Sequence, residues 1–401
     1  MKVLIADKLP EGSKQALERA GHSIVVEPTA SGDVLREVLR AEQPQALIVR
    51  STKVNRAMMT ANPMLELIVR AGAGYDTIDV ESASQRGIFV ANCPGKNATA
   101  VAELTLGLML ALDRRIPDNV IDARAGRWDK AAYSKAQGIK GQTLGVVGLG
   151  NIGKAVIRRA KSLEMRVVAW SRSLTEAGAE DLGVGYAASP QAVAAVADVV
   201  SVHVASTPAT RHLANRAFFE AMKPGALFIN TTRGPVVDEE ALVRAMDEKG
   251  IRAGLDVFSG EPSYKEGVLE WPLAGHPNVY LTHHIGASTQ QAQDATAMEA
   301  VRVISVYAET GRVPNCVNIA IQSAATHLLT VRHLDRVGVL AAVLDEVRQA
   351  DWNVQEMENL VFASDEGAAC ARIWFNGVPR NAVLAQIGNH RHVLAVSLIA
   401  L

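Results

Sequence analysis

Aromatic residues make up only 4% of the 401 residues, cysteine occurs three times, and neither sign of charge is in excess. Each scarcity excludes something. Cys93, Cys316 and Cys370 are odd in number and far apart, which fits neither a disulfide framework nor a zinc knuckle, so no metal site and a reducing, cytoplasmic setting are expected. Forty-one basic against forty-two acidic side chains leave a formal charge of -1. No overall field therefore draws the chain to nucleic acid or to an anionic membrane, and any anion site has to be local. The longest apolar run, Leu104–Leu112 between Glu103 and Asp113, is well short of the ~18 residues that cross a bilayer. The N-terminal run before Asp7 is too short for the core of a signal peptide.

What is present is aliphatic: 48% of the residues are hydrophobic against 21% charged, enough for two or three buried cores in a chain of this length. Short β-branched runs alternate with longer helical patterns, at Met1–Ala6, Ile24–Val26, Ala46–Val49, Leu67–Val69 and Ile88–Val90. Such alternation predicts a parallel sheet covered by helices. Asn97 then caps a helix running to about Arg115, with Leu104, Leu108 and Leu112 on one face; this apolar face predicts a homodimer or higher oligomer. A second alternating series follows, with six strands at Leu144–Val147, Arg166–Trp170, Val199–Val202, Leu227–Asn230, Gly254–Val257 and Val279–Thr282, a complete doubly wound fold. One long helix spans about 289 to 311, and Pro314 lies in a segment that cannot continue it. After a linker near 319–326, the order βαββαβ over the last 75 or so residues predicts a ferredoxin-like module.

Gly148-Leu149-Gly150-Asn151-Ile152-Gly153 directly follows an apolar strand and opens a helix. Glycines there let the backbone turn tightly and approach a pyrophosphate, which free amides and the helix dipole stabilise. A dinucleotide is the expected ligand. The next strand ends in Trp170-Ser171-Arg172-Ser173, where NAD-binding domains usually carry an acid for the adenosine ribose. Arg172 beside two hydroxyls could hold the 2′-phosphate of NADP or could be a solvated loop residue, so NAD and NADP both stay open.

Arg233, Glu261 and His284 stand just past the C-terminal ends of the last three strands, the edge at which open parallel sheets bind ligands. A guanidinium can fork a carboxylate and an imidazole can exchange a proton with a hydroxyl or carbonyl. The trio suits reversible hydride transfer at a 2-hydroxy acid. Each residue alone has a plainer reading: Arg233 as a helix cap, Glu261 as a loop acid, His284 as a satisfied core histidine.

The glycine turn, Asn230-Thr231-Thr232-Arg233-Gly234, Gly254–Phe258 leading to Glu261-Pro262, and Thr282–Thr289 together resemble the signature blocks of the D-2-hydroxyacid dehydrogenases. Within that family, Leu47–Ser51, Arg70–Asp76, Asn92–Asn97 and Ala102–Thr105 are most similar to the members that oxidise 3-phosphoglycerate, and the last module resembles an amino-acid-binding ACT domain. The resemblance implies Arg233 as carboxylate anchor, His284 as acid and base, and Glu261 as its partner. Gly148, Gly150, Asn151, Ile152, Gly153, Ser171, Arg172, Thr231, Thr232, Asp256, Gly286 and Ala287 would line the cofactor cleft, Asp256 facing the nicotinamide. Arg50, Ser51, Gly74 and Asn97 would hold a phosphorylated 2-hydroxy acid. It also implies a flavodoxin-like substrate domain from residues 1–96 and 288–318, a Rossmann NAD(P) domain from 97–287, and an ACT-like domain from 327–401 with an amino acid as effector. A glyoxylate or hydroxypyruvate reductase using NADPH, and a non-catalytic NAD-sensing scaffold, remain as alternatives.

Overall fold

The structure is a computed structural model describing residues 1–262, 266–320, 322–363 and 367–401. Residues 1–318 form one compact unit and 319–401 another. Among the described residues, sixteen strands make three sheets.

The first sheet holds β1 (Lys2–Ile5), β2 (Ser23–Val26), β3 (Ala46–Val49), β4 (Leu67–Arg70) and β5 (Phe89–Ala91). All pairings are parallel, in the order β2-β1-β3-β4-β5, the flavodoxin-like arrangement. β1, β3 and β4 are buried on both faces, as their unbroken aliphatic runs require. The helix Gln290–Thr310, capped by the Thr289 side chain and ended by a left-handed Gly311, contributes Ala300, Val301, Val303 and Ile304 to the core beneath this sheet.

The second sheet holds β6 (Thr143–Val147), β7 (Arg166–Trp170), β8 (Gly185–Tyr186), β9 (Val199–Val202), β10 (Leu227–Asn230), β11 (Arg252–Leu255) and β12 (Val279–Leu281). Its order, β12-β11-β10-β9-β6-β7-β8, reverses between β6 and β9, so the glycine turn after β6 sits at the switch point where such sheets bind ligands. Two differences from the sequence expectation are local. The two-residue edge strand β8 is a seventh, too short to carry a period. β11 ends at Leu255, which leaves Asp256 as the first loop residue.

A third difference concerns the helix Ala98–Arg114. Its apolar side chains were expected to seek a second copy, yet Ala102, Leu106, Leu108, Met109 and Leu112 lie in the core beside β6 and β10. Gly254 permits that approach: a Cβ on it would stand 3.1 Å from Leu108 and 3.2 Å from Leu112. Burying each leucine contributes about 1.5–3 kcal/mol, so the intramolecular core accounts for this face. The chain then turns through a left-handed Arg115 into a separate helix, Ile116–Arg124, with no buried residue.

The C-terminal unit holds β13 (His327–Leu334), β14 (Asn353–Val361), β15 (Ala368–Asn376) and β16 (Val393–Ala400). They are antiparallel in the order β14-β15-β13-β16, with helices Val339–Gln349 and Asn381–Asn389 between them in sequence. This is the ferredoxin-like order expected. Its core is sealed by Trp352 stacked on Phe375, ring centroids 4.3 Å apart.

Candidate active site

The parallel strands of the second sheet all open their C-terminal ends at one edge, and the loops there carry the predicted trio. Each loop is held by its own backbone chemistry. After β10, the Asn230 carboxamide accepts from the N–H and hydroxyl of Thr232 at 3.0 and 2.7 Å and donates to the Arg233 carbonyl at 3.1 Å. After β11, the buried Asp256 carboxylate accepts from the Thr282 hydroxyl at 2.6 Å, from Ile285 N–H at 2.8 Å and from Gly286 N–H at 2.8 Å. His284 N–H donates to the Asp256 carbonyl at 3.0 Å. These bonds hold His284 at φ 51°, the left-handed region that a histidine seldom adopts. Asp256, read from the resemblance as facing the nicotinamide, thus has its carboxylate committed to the loop that carries His284.

The trio converges. His284 Nδ1 lies 2.7 Å from Glu261 Oε2, and Glu261 Oε1 accepts from Phe258 N–H at 3.3 Å. Gly234 lets the Arg233 loop approach that segment: a Cβ at 234 would come within 2.2 Å of the Phe258 carbonyl carbon. Arg233, Glu261 and His284 line one cleft of about 600 Å³.

The opposite wall of this cleft comes from the first sheet and includes Lys8, Arg50, Ser51, Arg70, Gly72, Gly74, Asp76 and Asn97. Asp7 sets the turn after β3, accepting from Arg50, Ser51 and Thr52 N–H at 2.7, 3.1 and 3.0 Å and from the Ser51 hydroxyl at 3.0 Å. Burial opposes the Asp7 charge, but these hydrogen bonds hold its pKa below the usual carboxylate value. Ser51 is therefore tied to Asp7, while Arg50 reaches Gln293 Oε1 at 3.2 Å. Asn97 takes the N-cap position of its helix without a side-chain cap bond and lines the cleft.

Arg70 entered the sequence reading only as the head of the block Arg70–Asp76, with no role of its own. It lies at the end of β4 and lines the cleft, and its buried Nε finds no hydrogen-bond partner. Its guanidinium occupies the space a side chain at Gly72 would fill, 1.3 Å from such a Cβ. Burial, and next the positive charges of Arg233 and Arg50, push its pKa down. A buried donor surrounded by like charges is what an anion would relieve. The signal was visible as an arginine at a strand's C-terminal end followed by Ala71-Gly72-Ala73-Gly74.

Of the expected cofactor residues, Ala287 lines this cleft, and Gly148, Gly150, Asn151, Ile152, Gly153, Ser171, Arg172, Thr231, Thr232, Asp256 and Gly286 lie along the sheet edge beyond it. The glycine turn fits a dinucleotide. Gly148 has φ 105° and packs against the His203 carbonyl, 2.6 Å from where a Cβ would stand, and Gly153 packs against the Gly148 carbonyl. Gly150 faces open space, and the helix Asn151–Ser162 begins there without a side-chain cap, so its first amides are free for a pyrophosphate. Just past the end of β7, Ser171 is half-buried and Arg172 exposed, and neither is an acid.

This is the site of a nicotinamide-dependent α/β dehydrogenase fold. Residues 106–286 match the family described as D-isomer specific 2-hydroxyacid dehydrogenase, NAD binding domain. A glyoxylate reductase of Thermococcus litoralis is 35% identical over 327 residues, 79% of this chain and 96% of that protein. A D-3-phosphoglycerate dehydrogenase of Methanocaldococcus jannaschii is 37% identical over 321 residues, 80% of this chain but only 60% of that protein's length. The NAD+-bound 3-phosphoglycerate dehydrogenase of Entamoeba histolytica superposes with a TM-score of 0.66 at 26% identity, covering 80% of this chain and 99% of that one. The chain belongs to the D-2-hydroxyacid dehydrogenase family and carries its NAD-binding domain.

Proposed function

We propose that the chain is a D-3-phosphoglycerate dehydrogenase, oxidising 3-phospho-D-glycerate to 3-phosphohydroxypyruvate in the entry step of serine synthesis. The observation that carries this reading is one cleft holding an imidazole–carboxylate pair together with Lys8, Arg50, Arg70 and Arg233. A substrate with an anion at each end needs two separate cationic grips. Arg233, beside the Glu261–His284 pair, takes the carboxylate; Arg50 and Arg70 take the phosphate. Asn97 donates to the substrate from the far wall.

NAD(P), when bound, takes up the hydride released from C2 of the hydroxy acid. His284 accepts the hydroxyl proton at Nε2, because Nδ1 faces Glu261 at 2.7 Å and carries the proton donated to that carboxylate. Glu261 thereby fixes the ring and offsets the positive charge that forms on it. In the reverse direction the same Nε2 returns the proton to the carbonyl oxygen. Residues 1–96 with 288–318 act as the substrate domain and 97–287 as the cofactor domain, and closure of the cleft excludes water. Residues 327–401 act as an ACT-like regulatory domain with an amino-acid effector.

Ser171 and Arg172 favour a second reading, an NADPH-dependent glyoxylate or hydroxypyruvate reductase. A spectrophotometric panel crossing both nicotinamide cofactors with phosphohydroxypyruvate, hydroxypyruvate and glyoxylate separates the two. The first reading expects phosphohydroxypyruvate to be preferred, and Arg70→Ala or Arg50→Ala to raise its KM about tenfold while sparing the unphosphorylated acids. Equal losses on all three substrates end the phosphate assignment. Self-association fits the exposed Ile116, Val120, Ile121 and Trp128, the last 87% exposed. A monomeric mass in light scattering removes that part of the proposal.

A further inference from the structure

The chemistry above makes no use of Asp76, yet this residue makes a close contact with the carboxylate anchor. Its Oδ2 accepts from Nε and Nη2 of Arg233 at 3.1 and 3.0 Å, while Nη1 of Arg233 donates to the Thr232 carbonyl at 2.7 Å. A guanidinium has five N–H groups. Three are engaged here, which leaves one on each terminal nitrogen. Gly74 supplies the space for the group, since a Cβ there would lie 2.1 Å from Nη2 and 3.2 Å from Asp76 Oδ2. Gly74, Asp76 and Arg233 line the same cleft as Glu261 and His284.

The geometry points to Asp76 as a positioning residue for Arg233. It grips the Nε/Nη2 edge of the guanidinium so that the remaining hydrogens, one on Nη1 and one on Nη2, are presented together to the substrate carboxylate. This inference rests on the reading of Arg233 as carboxylate anchor. Two observations favour it over a purely structural pair. Both partners are partly exposed, Arg233 at 34% and Asp76 at 63% of their side-chain surface, and exposed pairs contribute little to stability. The contact also joins the loop after β4 to the loop after β10, across the cleft in which substrate would sit. An arginine side chain free to rotate has to be ordered each time a ligand binds, which weakens binding and misaligns the reacting carbon. Because a single Asp76 oxygen takes one edge, the carboxylate orients the fork without filling it.

The test uses the full chain, with Asp76→Ala and Asp76→Asn assayed beside Arg233→Ala. Asp76→Ala is expected to raise KM for the 2-keto acid about 10- to 100-fold and to lower kcat. Asp76→Asn, which keeps the acceptor oxygen without its charge, should fall between that variant and the parent. NADH affinity by fluorescence titration and Tm should stay at the parent values. Unchanged kinetics in Asp76→Ala overturn the inference; a lower KM also overturns it, because Asp76 would then be an occupant that substrate must displace. A joint loss of Tm and NADH affinity makes the role structural and overturns it as well. Full activity in Arg233→Ala refutes the anchor reading itself, whereas impairment there with none in Asp76→Ala refutes only the role of Asp76.

Discussion

The two walls of the cleft are built differently. On the wall contributed by the second sheet, buried side chains clamp the backbone of the loops that carry Arg233 and His284. Asn230 clamps the Arg233 turn, Asp256 clamps the His284 loop, and Gly234 fits against Phe258 with no room for a methyl group. On the wall contributed by the first sheet, Arg70 is seated over Gly72, but Lys8 and Arg50 are long cations on flexible stems, and Asp7 fixes only the turn from which Arg50 springs. Proton transfer, the role proposed for the second sheet's wall, tolerates little error in distance, which rigid loops suit. Charge recognition falls off slowly with distance and tolerates looser placement. The difference teaches that chemistry and selectivity in this fold can vary separately.

The sharpest way to break this contrast is at its chemical end. His284→Ala should lower turnover ~10² to 10⁴-fold while NADH still binds, measured by nicotinamide absorbance and by fluorescence titration; undiminished turnover would show that the rigid wall does not carry the proton. Gly234→Ala comes next. Its methyl group would have to separate two backbone segments, so kcat should fall about 10²-fold and Tm should drop by several degrees. If both stay at the parent values, the rigidity claimed for that wall is wrong. The smallest effect lies away from the cleft, at the buried Glu299. Its carboxylate accepts from Arg302 at 2.6 and 3.0 Å and from Asn315 at 2.8 Å, and Lys96 lies 3.3 Å away. Hydrogen bonding by Arg302 is the main cause that holds its pKa down to about 2, against an ordinary 4.5. A depressed folded-state value means that the stabilisation is complete above about pH 4.5 and is lost as pH falls toward 2. Tm of the parent should therefore fall more steeply over that window than Tm of Glu299→Gln; parallel curves would exclude the linkage.

Much of this was legible in the sequence. The strand series, the glycine turn after β6 and the βαββαβ tail follow from periodicity and turn chemistry, which act over a few residues. Arg233, Glu261 and His284 were found because each stands just past a strand in a parallel sheet, and such positions share one edge. Three features were hidden. The two-residue β8 carries no period. The apolar helix Ala98–Arg114 looked like an interface because nothing local reveals that β10 and the helix Asn151–Ser162 cover it. Arg70 read only as the head of a glycine-rich block, since the missing partner of its Nε shows only once the neighbours are in place.

Element order, the dinucleotide turn and the shared sheet edge of Arg233, Glu261 and His284 were thus written along the chain, because backbone sterics and hydrophobic spacing are short-range. The pairing of His284 with Glu261 across 23 positions, and of Arg233 with Asp76 across 157, was decided by packing alone. Contacts between loops from two sheets depend on how those sheets are brought together, and no pattern within a single segment encodes that distance.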